Sequence, residues 1–216
     1  MNNDLRGLMP KRIPIQNAKG KFLGTLTRLS EVDLGSRDLI ESITSWRNKN
    51  KTFFLTQFEA TSQRTHLWLE SVIFHDVKRL MYFIEDEEHI KLGHLGIINL
   101  NNDSAELDNM IRGLSIGDPQ IMYWAEVALI QQIFQNLSIN KIVLHVLANN
   151  WIPITIHKSI GFSIDAILKV TKISKDQEVH FLLNSDLGEI QKFKCLLMSL
   201  NRKSFSNFLN NKLIEG

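Results

Sequence analysis

The chain has 216 residues, 44% of them hydrophobic, with a formal net charge of +2 and 22% charged side chains. That size and apolar content fit one domain with a full core, and the near balance of charge gives no reason to expect nucleic acid or an anionic membrane as a partner. The opening MNNDLRGLMP carries Asp4 and no apolar run, no stretch approaches the ~18 apolar residues of a membrane span, and the lone Cys195 cannot form an internal disulfide, so a cytoplasmic, soluble protein with a buried thiol is expected.

Residues 1–20 are polar, hold Pro10, Pro14 and Gly20, and read as an N-terminal arm ahead of one domain over 21–216. Lys21 to Leu29 alternates as a first strand. Ser36 is a good cap for a helix to about Asn48, with Leu39, Ile43 and Trp46 at helical spacing. Thr61 or Ser62 caps a second helix to about His75. Arg79 to Glu85 is strand-like, Asp86-Glu87-Glu88 turns the chain, and Ile90 to Leu100 is a glycine-interrupted strand.

A further strand, Ala105 to Ile111, puts Leu107, Asn109 and Ile111 on one face and Glu106, Asp108 and Met110 on the other. The chain breaks at Arg112-Gly113, passes Gly117, and enters a long apolar helix near Pro119, whose missing N–H suits a first turn. A strand that delivers a loop onto a helix N-terminus gathers free N–H groups in front of the helix dipole, a site for phosphate above all. An ordinary strand-to-helix turn is the plainer reading of this stretch taken alone. After the helix (about Pro119 to Asn136), Ile142 to Leu147 is apolar on both faces and reads as a central strand covered on both sides.

Asn150 caps a short helix, Trp151 to Ile160, that Gly161 ends in a left-handed conformation. Ala166 to Ile173 and Val179 to Leu183 are strand candidates, and Phe193 to Leu200 reads as a strand in preference to a helix. Ser204 caps an end helix carrying Phe205, Phe208, Leu209 and Leu213. The pattern is α/β, with several antiparallel pairs around one parallel junction.

The seven histidines show no HExxH and no partner cysteine pair, so no metal is expected. No GxSxG elbow, Walker loop or GxGxxG is present. What remains is spatial. The strand at 105–111 and Ile142 to Leu147 lie parallel, joined by the long helix as a right-handed crossover. If they splay apart, they leave unpaired backbone groups in a slot that an amide-rich ligand can enter like an added strand.

With these segments in place the sequence resembles the GNAT superfamily of acetyl-CoA-dependent N-acetyltransferases. The resemblance is carried by Ala105 to Gly113 (AELDNMIRG), by the helix entered at Pro119, and by Asn150-x6-His157-x3-Gly161-Phe162, and extends more loosely from Leu26 to Leu200. Trp46-Arg47-Asn48, His66-Leu67-Trp68, Asp108 to Gly113 and Leu197 to Arg202 are similar to a subgroup that acetylates amino sugars for surface polysaccharide biosynthesis. The family's pyrophosphate loop reads Q/R-x-x-G-x-G/A; here that register is Ile116 to Ile121, with Pro119 and Ile121 at the small positions and Gly117 kept.

The resemblance implies a GNAT-like single domain over 21–216, with a mixed, mostly antiparallel sheet splayed between two central parallel strands and helices on both faces. It implies acetyl-CoA as co-substrate, no metal, and transfer to a primary amine, that of a nucleotide-linked amino sugar, by direct attack on the thioester. It assigns coenzyme contacts to Asn109, Met110, Ile111, Arg112, Gly113, Gly117, Asp118, Gln120, Ile121, Met122 and Asn150. Acceptor contacts fall to Arg47, Asn48 and His66, the guanidinium being suited to a diphosphate. His157 stands where relatives carry Tyr and takes the role of acid to the leaving thiolate, with Glu106 and Asp108 as candidate bases. A histidine bonded to a carbonyl and solvated or ion-paired carboxylates are the plainer alternatives for these three. A protein N-terminal acetyltransferase, or a non-catalytic acyl-CoA-binding or interaction domain, are the other functional readings, and a homodimer is left open.

Overall fold

Helix α1 (Leu5–Leu8) buries Leu5, and β1 (Arg12–Gln16) buries Ile13 and Ile15 while Arg12, Pro14 and Gln16 face out. Strand β1 pairs antiparallel with β2 (Phe22–Arg28) at the edge of the main sheet. The opening stretch is therefore built into the fold, which corrects the expected arm. Its short apolar alternation is framed by polar residues, and a proline is tolerated on an edge strand, where one ladder N–H is dispensable. The computed structural model describes residues 4–215, and side chains only to residue 212, so Leu213 lies outside the described side chains.

The chain continues through α2 (Arg37–Lys49), β3 (Thr56–Gln57) and α3 (Ser62–Trp68), which runs on as a π-helical turn, Leu69–Ile73. Strands β4 (Leu80–Glu85), β5 (Lys91–Ile98) and β6 (Ser104–Arg112) follow, then α4 (Ile121–Asn136), β7 (Lys141–Leu147) and α5 (Trp151–Ile160). The last elements are β8 (Ser163–Leu168), β9 (Val170–Lys175), β10 (Glu178–Leu183), β11 (Glu189–Ile190), β12 (Cys195–Asn201) and α6 (Arg202–Glu215). Eight strands form the main sheet in the order β1-β2-β4-β5-β6-β7-β12-β8, and β6–β7 is its parallel pair. A small antiparallel sheet, β11-β9-β10-β3, stands beside it.

Helices cover both faces. On one, α4, α5 and α6 pack Trp124, Ile130, Ile160 and Phe205 over Leu26, Tyr82, Leu95 and Leu144. On the other, Ile40, Ile43 and Trp46 of α2 meet Leu69 and Ile73 over Met81, Phe83 and Ile111. This is the α/β architecture expected, with four local differences. Ala166 to Ile173 is not one strand: the chain changes sheets at Lys169, where its N–H bonds the Asn184 side chain. Strand β7 is covered fully on the face of Ile142, Leu144 and Val146, whereas on the other face Leu147 is buried and His145 faces outward. Pro119 falls two residues ahead of α4, because Asp118 closes a turn by accepting from the N–H of Gln120. Helix α6 is capped by Asn201, whose Oδ1 accepts from the N–H of Ser204 at 2.8 Å.

Candidate active site

Strands β6 and β7 pair only at Ser104–Lys141, Ala105–Ile142 and Glu106–Val143. Beyond that point β6 runs on to Arg112 and β7 to Leu147 without a ladder between them, so their facing edges splay. On its other side β6 carries a bulge. Gly96 faces Asp108 and His94 faces Ile111, so Asn109 and Met110 together oppose one residue of β5. Asn109 takes φ 53°, a left-handed conformation that asparagine tolerates better than most residues. The extra residue resets the alternation: Leu107 and Met110 pack against the α4 side, whereas Ile111 belongs to the α2 side. Strict alternation, which put Ile111 with Leu107, is corrected by this one residue.

Two cavities meet across β6. The first, about 280 Å³, is lined by Ile43, Arg47 and Arg64, Phe58, Trp68, Arg79, His94 and Asp108, among others. The second, about 470 Å³, lies in the splay and is lined by Met110, Arg112, Met122, Glu126, His145, Asn150 and His157 with their neighbours. Asp108, Asn109 and Ile111 line both, so the bulge is their shared wall.

The loop after β6 is shaped from behind by Arg112. Its Nε donates to the Leu114 carbonyl at 3.1 Å, Nη1 to Pro119 at 3.0 Å, and Nη2 to Ile116 at 3.0 Å and Asp118 at 3.3 Å. Of the residues that follow these carbonyls, Pro119 has no N–H and that of Gln120 is bonded to Asp118 Oδ1, so the loop's contribution of backbone donors narrows to Ser115 and Gly117. Gly117 sits at φ 75° in this loop, where a side chain would be strained. Gly113 is dictated by packing: a Cβ there would lie 2.1 Å from the Trp46 indole.

Charge at the junction is ordered by burial and partners. Burial raises the Asp108 pKa, helped by the charge of Glu106 and opposed by hydrogen bonding from Asn109 and by the charges of Arg79 and Arg47. Burial works the same way on Glu106, but hydrogen bonds from His145 and Asn99 outweigh it and leave its pKa lowered. His145 donates Nδ1–H to Glu106 at 2.7 Å, and that bond raises the histidine pKa. Across the slot, His157 places Nδ1 2.7 Å from Glu126 Oε1, with both side chains buried. Glu126 Oε2 has no partner among the described residues.

The structure brings together His157, Asp108, Asn109, Met110, Ile111, Arg112, Met122 and Asn150 along the slot, and Arg47 with Asp108 in the first cavity. Other expected residues are used differently. Glu106 lies behind Asp108, engaged by His145 and Asn99, and lines neither cavity. Asn48 exchanges both ends of its amide with the Ala60 backbone, and His66 lines neither cavity. Gly113, Gly117, Asp118, Gln120 and Ile121 build the loop and helix start rather than the slot wall, with Ile121 wholly buried. Asn150 stands at the α5 cap position without a side-chain cap bond. His94 and Glu126 escaped the sequence reading. Glu126 is the one charged residue in IMYWAEVALIQQIFQN, a signal that was there to use.

Residues 34–182 match the family described as the acetyltransferase (GNAT) domain. Among solved structures, a GCN5-related N-acetyltransferase from Brucella melitensis is similar over 97% of this chain and 90% of its own, at 14% identity and a TM-score of 0.67. Spermidine N-acetyltransferase from Vibrio cholerae, in complex with CoA and spermine, covers 84% of this chain and 97% of its own, at 20% identity and a TM-score of 0.59. Apo FdhC, a nucleotide-linked sugar GNAT, covers 94% and 98% at 12% identity and a TM-score of 0.62. At such identities these likenesses speak for the fold alone, and no curated protein matches the sequence. No helix among the described residues is long and apolar enough to cross a membrane. With the family match covering more than half its length and the splayed sheet in place, the chain belongs to the GNAT acetyltransferase family.

Proposed function

We propose that this protein transfers an acetyl group from acetyl-CoA to the primary amine of a nucleotide-linked amino sugar, by direct attack of the amine on the thioester. One observation carries the reading: the slot left by the parting of β6 and β7 shares Asp108, Asn109 and Ile111 as a common wall with a second cavity of small-molecule size. The residues present fit acetyl-CoA. Unladdered backbone of Met110 to Arg112 can pair with pantetheine amides, and the loop braced by Arg112, with Gly117 after the Ile116 carbonyl, can offer backbone N–H to a pyrophosphate.

Roles follow from the placement. Asp108 takes a proton from the substrate ammonium, a task suited to a carboxylate whose pKa burial has raised. His157 delivers a proton to the departing thiolate. Glu126 accepts from its Nδ1, which leaves Nε2 as the nitrogen that serves the slot. Overall the nitrogen loses two protons, one balanced at sulfur and one at solvent. Cationic Arg47, Arg64 and Arg79 on the first cavity favour an acceptor bearing phosphate over a polyamine.

The test is a mass-spectrometric screen with acetyl-CoA against nucleotide-linked amino sugars, spermidine and peptides with free N-termini. The expected product is an N-acetylated nucleotide sugar. Higher kcat/KM for spermidine or a peptide would overturn the acceptor, and absence of CoA release with every amine would overturn the reaction.

A further inference from the structure

Two buried polar atoms of the first cavity's side chains, Arg47 Nη1 and His94 Nε2, have no partner among the described residues. Their hydrogen-bonding roles are fixed by what surrounds them. His94 Nδ1 lies 2.7 Å from the Asn109 carbonyl, which can only accept, so the ring carries its hydrogen there. Burial, with the nearby Arg47 charge, lowers the His94 pKa to about 4, so the ring is neutral near pH 7 and Nε2 is an acceptor. Arg47 Nη1 can only donate. Its guanidinium is otherwise held by the Thr56 carbonyl at 2.6 Å and lies 3.5 Å from the centre of the Phe54 ring. No carboxylate forms an ion pair with it among the described residues, whereas Arg64 has Glu178 and Arg79 has Asp76.

A buried donor or acceptor without a partner is costly, and both side chains line the acceptor cavity. We infer that Arg47 and His94 together read a hydroxyl, and that the cavity selects a primary amine with a neighbouring hydroxyl, an amino sugar or amino alcohol, over a polyamine or an amino acid. A hydroxyl, or two adjacent ones on a ring, accepts from Arg47 and donates to His94. A methylene does neither. A second ammonium donates to His94 but cannot accept from Arg47, and adds charge beside three arginines. A carboxylate accepts from Arg47 but sets lone pairs against His94 Nε2. Each alternative leaves at least one atom unpaired, and a site built to bond a hydroxyl discriminates strongly against analogues without it.

The inference rests on the first cavity being the acceptor site of the proposed acetyl transfer, and it is tested with a matched set of probes. These are 2-aminocyclohexanol, cyclohexylamine and 2-aminocyclohexanecarboxylate, measured by kcat/KM at saturating acetyl-CoA and by calorimetric Kd. The amino alcohol should lead the other two by roughly tenfold to a hundredfold. His94→Phe should cut the lead of the amino alcohol over cyclohexylamine by about tenfold without abolishing it, because Arg47 alone is left to bond the hydroxyl, and His94→Gln, which keeps an acceptor, should restore part of the gap. Equal use of the two probes by the wild type overturns the inference, as does a preference unchanged in His94→Phe. So does an acceptor complex in which Arg47 Nη1 donates directly to His94 Nε2, or failure of every probe both to bind and to react. If calorimetry ranks the amino alcohol first but nothing is acetylated, the enzymatic reading fails and the hydroxyl reader stands. Turnover without that ranking does the reverse.

Discussion

His157 and Glu126 make the sharpest case at the scale of single residues. The imidazole is buried and engaged through Nδ1 by a wholly buried carboxylate, so its orientation and tautomer are held before any ligand arrives. Positioned acid catalysis is commonly worth ~10²–10⁴-fold, so His157→Ala should lower the single-turnover acetylation rate by about that factor while acetyl-CoA affinity changes little. Glu126→Gln keeps the size of the side chain but removes the buried charge that accepts from Nδ1, so the single-turnover rate should fall, though less than in His157→Ala, while acetyl-CoA affinity changes little. An unchanged single-turnover rate in Glu126→Gln would return the pair to a structural role. The place of His157 on α5 was legible in the sequence through the Asn150-x6-His157-x3-Gly161-Phe162 spacing that carries the family resemblance. Its partner was not singled out, since a contact between residues 126 and 157 depends on the packing of α4 on α5.

Among elements, β6 shapes both cavities through its bulge. Asp108 and Ile111 reach the same cavity only because Asn109 and Met110 share one place in the ladder. A β-branched residue resists φ 53°, so Asn109→Val should cost about 1–2 kcal/mol, read as a lower urea midpoint at unchanged slope. Asn109→Gly keeps the backbone and should spare stability, yet lower kcat, because the Asn109 amide that donates to Asp108 at 2.6 Å is lost. Equal stability of the Val and Gly variants would mean that the bulge is not held by this residue. Periodicity revealed β6 itself but not the bulge, which arises from pairing with β5 rather than from any local signal. The edge strand β1 was missed for a related reason. Its two buried isoleucines are too short an alternation to stand out among polar neighbours, and only β2 gives them a register.

For the molecule as a whole, stability and ligand binding are linked through buried groups. His94 is neutral in the fold with a pKa lowered to about 4, whereas an unfolded histidine titrates near ~6.5. A depressed folded pKa means that this contribution is full above the unfolded value and lost as pH falls toward the folded one. Unfolding free energy should therefore drop by up to about 3 kcal/mol from this group between pH ~6.5 and ~4, and His94→Gln should flatten that part of the curve. Acetyl-CoA at a hundredfold excess over Kd should add about 2.7 kcal/mol, seen as a rise in Tm that an equal concentration of ATP does not reproduce.

The wall shared by the two cavities has a kinetic consequence. Asp108, Asn109 and Ile111 are the residues common to both spaces, and the single thiol, Cys195, is wholly buried and lines neither. No cysteine of the protein is thus placed to carry the acetyl group between one visitor and the next, and each space can fill while the other is occupied. Turnover should therefore pass through a ternary complex. Initial-rate plots against one substrate at fixed levels of the other would intersect rather than run parallel, and without the amine no acetyl label would exchange between acetyl-CoA and free CoA.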